Sequence, residues 1–85
     1  MRLSPLCRLH HRRGRHILID YSAAAVALEV NESFARLWQE FQGKDFTAED
    51  ISRFLCDAYG LDPAESAVQA DSIIELWQRQ KLLIP

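Results

Sequence analysis

The feature that most constrains this chain is a change of hydrophobic period at residues 30–31. Before it, apolar residues alternate; after it, they recur every three or four positions. In HILIDY, residues 16–21, Ile17, Ile19 and Tyr21 fall on one side and His16, Leu18 and Asp20 on the other. In AVALEV, residues 25–30, Val26, Leu28 and Val30 oppose Ala25, Ala27 and Glu29. Period two with β-branched residues reads as strand. Residues 6–11 form a weaker first strand, and Gly14 in the intervening RRGR can take the positive φ of a tight turn.

From Asn31 the reading is helical. Asn31 is a good N-cap, and Phe34, Leu37, Trp38 and Phe41 make one stripe, with Gly43 as the stop. Thr47 with Asp50 gives a capping-box pattern for a second helix, whose stripe is Ile51, Phe54, Leu55 and Ala58 and which Gly60 ends. Asp62 and Pro63 start a third. Its apolar residues Val68, Ile73, Ile74, Leu76 and Trp77 cover a wider arc than a single neighbour needs. The expected elements are strands at about 6–11, 16–21 and 25–30 and helices at about 31–42, 47–59 and 63–80. LLIP then closes the chain, extended, with Leu82 and Leu83 returning to the core. The expected class is α+β in one domain spanning 1–85: an N-terminal three-stranded antiparallel sheet too small to stand without the helices that follow.

Charge narrows the function. Residues 1–22 hold five arginines against Asp20 alone, while residues 23–85 hold five basic and eleven acidic residues. A basic hairpin beside a helix-turn-helix suggests a wing on DNA phosphates. Yet the third helix carries Glu65, Asp71 and Glu75 against Arg79, and the second carries Glu49, Asp50 and Asp57 against Arg53. Phosphate attraction dominates such binding and has the wrong sign over both helices, so no nucleic-acid partner is expected. His10 and His11, being adjacent, point to opposite faces of a strand, and no second Cys/His cluster completes a tetrahedral set with Cys7 and His16, so no metal is expected. Cys7 and Cys56 read as free thiols, with Cys56 a small core residue. No serine lies in a nucleophile elbow and the three glycines stand alone, so no catalytic residue and no cofactor are expected. The longest apolar run, Ala23 to Leu28, cannot span a bilayer, and no signal-peptide stretch opens the chain, so the expectation is cytoplasmic, with no membrane partner.

What remains is a surface. If the strands pair sequentially, AVALEV lies at a sheet edge, where natural proteins place charge, proline or a bulge. Here only Glu29 blunts it, and the rest of its outward side is alanine. Small side chains beside open backbone let an extended peptide add as a strand. The alternatives are that the chain's own LLIP tail, or a second copy, covers that edge; either a monomer or a homodimer fits.

The chain from Val26 onward resembles the PqqD-like family, which includes the coenzyme PQQ synthesis protein D and the precursor-recognition domains of ribosomally made peptide pathways. The residues that carry the resemblance are Val30-Asn31-Glu32-Ser33 followed by Leu37-Trp38, then Thr47, Glu49-Asp50-Ile51 and Tyr59-Gly60-Leu61-Asp62, and last Asp71-Ser72-Ile73-Ile74 with Lys81-Leu82-Leu83-Ile84. Val30 stands where the family usually has Leu, and Lys81 where it often has Gly. The resemblance covers about residues 16–84. It implies a winged-helix-like fold and a non-catalytic, chaperone-like protein. In that family the leader of a precursor peptide adds to the third strand, rests against the third helix, and is presented to a maturation enzyme such as a radical enzyme, leader peptidase or cyclase. The positions so implicated are Val26, Ala27, Leu28 and Glu29 on the strand and Ala67, Ala70, Asp71 and Ile74 on the helix. Arg12, Arg13 and Arg15 at the hairpin tip are candidates for docking the partner enzyme. Trp38 and Trp77, on apolar stripes, are assigned to the core. The competing reading is a winged-helix transcription regulator.

Overall fold

The computed structural model describes residues 1–22 and 26–84, and the chain divides into two compact units, one of Arg2–Lys44 and one of Met1 with Asp45–Pro85. In the first unit the strands are β1 (Arg2–Leu3), β2 (Cys7–Arg12), β3 (Arg15–Asp20) and β4 (Ala27–Val30), followed by helix α1 (Glu32–Phe41). The second holds α2 (Ala48–Tyr59), α3 (Pro63–Arg79) and a short strand β5 (Leu83–Ile84). The α+β order expected from the change of period holds, with shifts of one or two residues at strand ends. The third strand begins at Ala27 rather than 25; Val26 precedes it in extended pairing, and Ala25 lies outside the described residues.

β2, β3 and β4 form an antiparallel sheet in that order. Arg13 and Gly14 both have positive φ, 51° and 74°, so the first hairpin closes through a two-residue turn of the primed kind. That turn sets the register Arg12↔Arg15, His11↔His16, Leu9↔Leu18. The buried side of the sheet is the one carrying Leu18, 2% exposed, and Cys7. Ile17 and Ile19 are half-buried and Tyr21 is exposed, so the richer apolar set of the strand, Ile17, Ile19 and Tyr21, lies on its more open side. Alternation in the sequence showed two faces; only the strands' packing selected between them.

The helix ends form as their residues dictate. The Asn31 side chain accepts from the Phe34 N–H at 2.8 Å. Thr47 and Asp50 close a reciprocal capping box, and Gly60 ends α2 in the left-handed conformation. Asp62 accepts from the Glu65 N–H, with Pro63 in the first turn. In the first unit Ala35, Leu37, Trp38 and Phe41 are buried, and Phe34 stacks parallel to Trp38. In the second, Phe46 meets Trp77 edge to face at 5.9 Å between ring centres, and Ile51, Leu55, Ala70 and Leu82 are buried around this aromatic pair's unit.

The apolar arc of α3 is wider than its packing uses: Val68 is 67% exposed, because Ser66, Ala70 and Trp77 define the buried line of the helix and Val68 lies nearly opposite it. One expectation needs correction. Cys56 is half-buried rather than core; its Sγ sits 3.0 Å from the Oγ of fully buried Ser66, giving that hydroxyl a partner.

Candidate functional site

β4 is the terminal strand of its sheet, with β3 on one side and no further strand added to it among the described residues. Which of its backbone groups remain open follows from one hydrogen bond. The Asp20 N–H donates to the Val26 carbonyl at 2.8 Å, and the register makes these two residues direct partners. In an antiparallel ladder, hydrogen-bonded and non-hydrogen-bonded pairs alternate. The bonded pairs are therefore Asp20–Val26, Leu18–Leu28 and His16–Val30. The Ile19–Ala27 and Ile17–Glu29 pairs are the non-bonded ones. The N–H and C=O groups of Ala27 and Glu29 consequently point away from β3, toward the open edge. β2 confirms the alternation from the other side: the Tyr21 N–H donates to the Leu6 carbonyl at 2.8 Å, so odd-numbered residues of β3 serve β2 and even-numbered ones serve β4.

Side chains at this edge are small or apolar and accessible. Val26 is 55% and Leu28 38% exposed, on the face that also carries Leu18; Ala27 and Glu29 are exposed on the opposite face. Glu29 lies 3.5 Å from the Arg15 Nε, an exposed ion pair of small energetic weight. On the same face, the Tyr21 hydroxyl lies 3.0 Å from His10 Nε2. His11 and His16 pair across the hairpin on the other face with their Nδ1 atoms 3.0 Å apart. Among the described residues no group of three or more His, Cys, Asp or Glu side chains is placed to hold a metal ion.

The helix residues divide. Ala67 and Asp71 are exposed and line a cleft between α2 and α3 with Ser52, Arg53 and Cys56. Ile74 is half-buried. Ala70 is 1% exposed and sits on the buried line of α3, so it has no surface to offer a ligand in this conformation. Arg12 and Arg15 flank the turn, opposite one another in register, and Arg13 is within it; all three are exposed. Trp38 and Trp77 are buried, as their stripes implied.

Two groups have perturbed acidities. The Asp20 carboxyl is held below its ordinary range, first by the Ser22 backbone N–H at 2.8 Å and then by the Ser22 side chain. Burial, followed by the Asp20 charge, pushes the Cys7 thiol up, which keeps it protonated and unreactive. Both lie where β3 leads toward β4, and both are structural: Asp20 closes an Asx turn at Ser22.

The fold is shared with a known leader-binding structure. TbiB1 in complex with the TbiA(beta) leader peptide superposes with a TM-score of 0.77 over 98% of this chain and 94% of that one, at 16% sequence identity. This likeness shows the winged-helix-like α+β fold. No protein-family model matches the sequence, and no curated protein matches it either. No described helix is long and apolar enough to cross a membrane.

The sequence missed one thing about the site: among the described residues of the strand, Ala27 and Glu29 are the two with backbone to share. The tight Arg13-Gly14 turn carries enough information to set the alternation on β2 and β3. The longer link from Tyr21 to Val26 hides it for β4.

Proposed function

We propose that this chain is a non-catalytic peptide-recognition protein that captures the leader of a ribosomally made precursor peptide as an added strand on β4 and presents it to a maturation enzyme. The observation that carries the reading is the set of outward-facing N–H and C=O groups on Ala27 and Glu29, on a terminal strand with exposed Val26 and Leu28 beside it. Main-chain hydrogen bonds give affinity in strand addition, and side chains give register. The shared fold of a protein solved with a leader peptide supports the same reading, as does the resemblance to the PqqD-like family. Arg12, Arg13 and Arg15 form the basic hairpin tip that docks the partner enzyme through an acidic surface.

The test is a titration of synthetic leaders, taken from any short precursor found encoded beside this chain, against a matched titration of duplex DNA. Saturable leader binding with no DNA shift at moderate salt is expected. The reverse result would replace this reading with the winged-helix regulator.

A further inference from the structure

The more open face of the sheet limits what β4 can accept. On that face the rows across the strands are Arg8–Ile19–Ala27 and His10–Ile17–Glu29, with Tyr21 beyond Ile19. Among the described residues none on this face is buried: Ile17 and Ile19 are half-covered and Tyr21 is 56% exposed. Ala27, at the outer end of its row, has nothing beyond Cβ to cover Ile19. A residue on an added strand pairs with Ala27 through both of its free backbone groups, and its side chain emerges on this same face. Strands lie about 4.7–4.9 Å apart, so that residue stands two spacings, about 9.6 Å, from Ile19. A short side chain leaves Ile19 in water. A long one crosses the Ala27 methyl and reaches it. The residues before and after it stand opposite Val26 and Leu28 and turn to the other face, where Val26 is 55% and Leu28 38% exposed.

We propose that the peptide accepted at β4 carries three consecutive apolar residues, the central one long (Leu, Met, Phe or Trp) and placed opposite Ala27, where it lies over the methyl and covers Ile19. This rests on the strand-addition reading and adds the chemical class of its ligand. Ala27 is then the specificity-determining position, because the length of its side chain sets the length of the one opposite.

The probe is a displayed library of random peptides, about twelve residues long, enough to cross a strand. It is selected separately on the wild-type chain and on Ala27→Trp, each first shown by circular dichroism to keep its secondary structure. Tryptophan suits an exposed strand position. Wild type is expected to enrich the apolar triplet with a long central residue, and replacing that residue by Gly should raise Kd about tenfold. Ala27→Trp should invert the preference, enriching Gly, Ala or Ser at the centre and rejecting long residues. The same motif from both proteins would overturn the proposal, as would central replacements that leave Kd unchanged in peptides that Ala27→Pro no longer binds. Selected peptides that bind Ala27→Pro at full affinity would instead overturn strand addition at β4, and this proposal with it.

Discussion

Proline at two adjacent positions of β4 separates what the strand does for the fold from what it does for a ligand. Ala27 directs its N–H to the open edge; Leu28 directs its own toward β3. In Ala27→Pro no bond of the β3 ladder is lost, and proline is tolerated on an edge whose N–H faces outward. The stability change is expected to stay within about 1 kcal/mol, since reduced freedom of the unfolded chain offsets part of the strain. In Leu28→Pro the ladder bond disappears and the Leu18 carbonyl, on a residue 2% exposed, loses its donor. That costs about 3 kcal/mol or more. Ligand binding reverses the order of importance. Ala27→Pro deletes one backbone donor and leaves a peptide carbonyl unmatched, about 2–4 kcal/mol together, or about 30- to 1,000-fold in Kd. Urea denaturation gives the stabilities, and fluorescence polarisation of a labelled leader that binds wild type gives the affinities. If Ala27→Pro unfolds as readily as Leu28→Pro, the assignment of bonded pairs is wrong. If it binds the leader at full affinity, the peptide docks elsewhere.

Amide exchange followed by NMR should show the Ala27 and Glu29 N–H groups exchanging fast in the free protein and slowing when leader is added, with Leu28 and Val30 already slow in both states; protection of all four in the free chain would contradict an open edge. Thr47→Ala should cost about 1–2 kcal/mol by removing the hydroxyl half of the α2 capping box, read as a lower urea midpoint at constant slope. Because the folded Asp20 carboxyl titrates below its unfolded value, its contribution is present above the ordinary carboxylate pKa, about 3.9, and is lost as pH falls through the depressed folded value. Asp20→Asn keeps an acceptor for the Ser22 N–H, so its stability should fall less steeply than wild type below about pH 4; identical acid limbs would remove Asp20 from the account. Reversing Arg12 and Arg13 to Glu, with Arg15 left to its Glu29 partner, should weaken association with the proposed maturation enzyme at low salt without changing leader affinity, and unchanged enzyme binding there would exclude the hairpin tip.

Much of the architecture was legible because its signals are local. The caps at Asn31, Thr47 and Asp62, the left-handed stop at Gly60 and the Arg13-Gly14 turn each depend on a few neighbouring residues, and each forms as those residues require. The positions of Trp38 and Trp77 were legible for a related reason: helical period alone aligns them with other large apolar residues. Where local signals ran out, packing decided. Within the wide apolar arc of α3 it chose the line through Ser66, Ala70 and Trp77 and left Val68 exposed. Cys56 looked like a core residue by type, yet it lines the α2–α3 cleft while Cys7 is the buried thiol.

The amino-acid order by itself determined that strands precede helices, where each helix starts, and that the third strand carries little on its side chains to blunt an edge, because periodicity, capping and side-chain size are properties of short stretches. Only the tertiary structure decided which face of β3 is buried, that Ala70 is closed to solvent, and that Ala27 and Glu29 hold the open backbone groups. Those outcomes depend on the register between strands and on packing between helices, and a shift of one residue in register would exchange every inward group for an outward one.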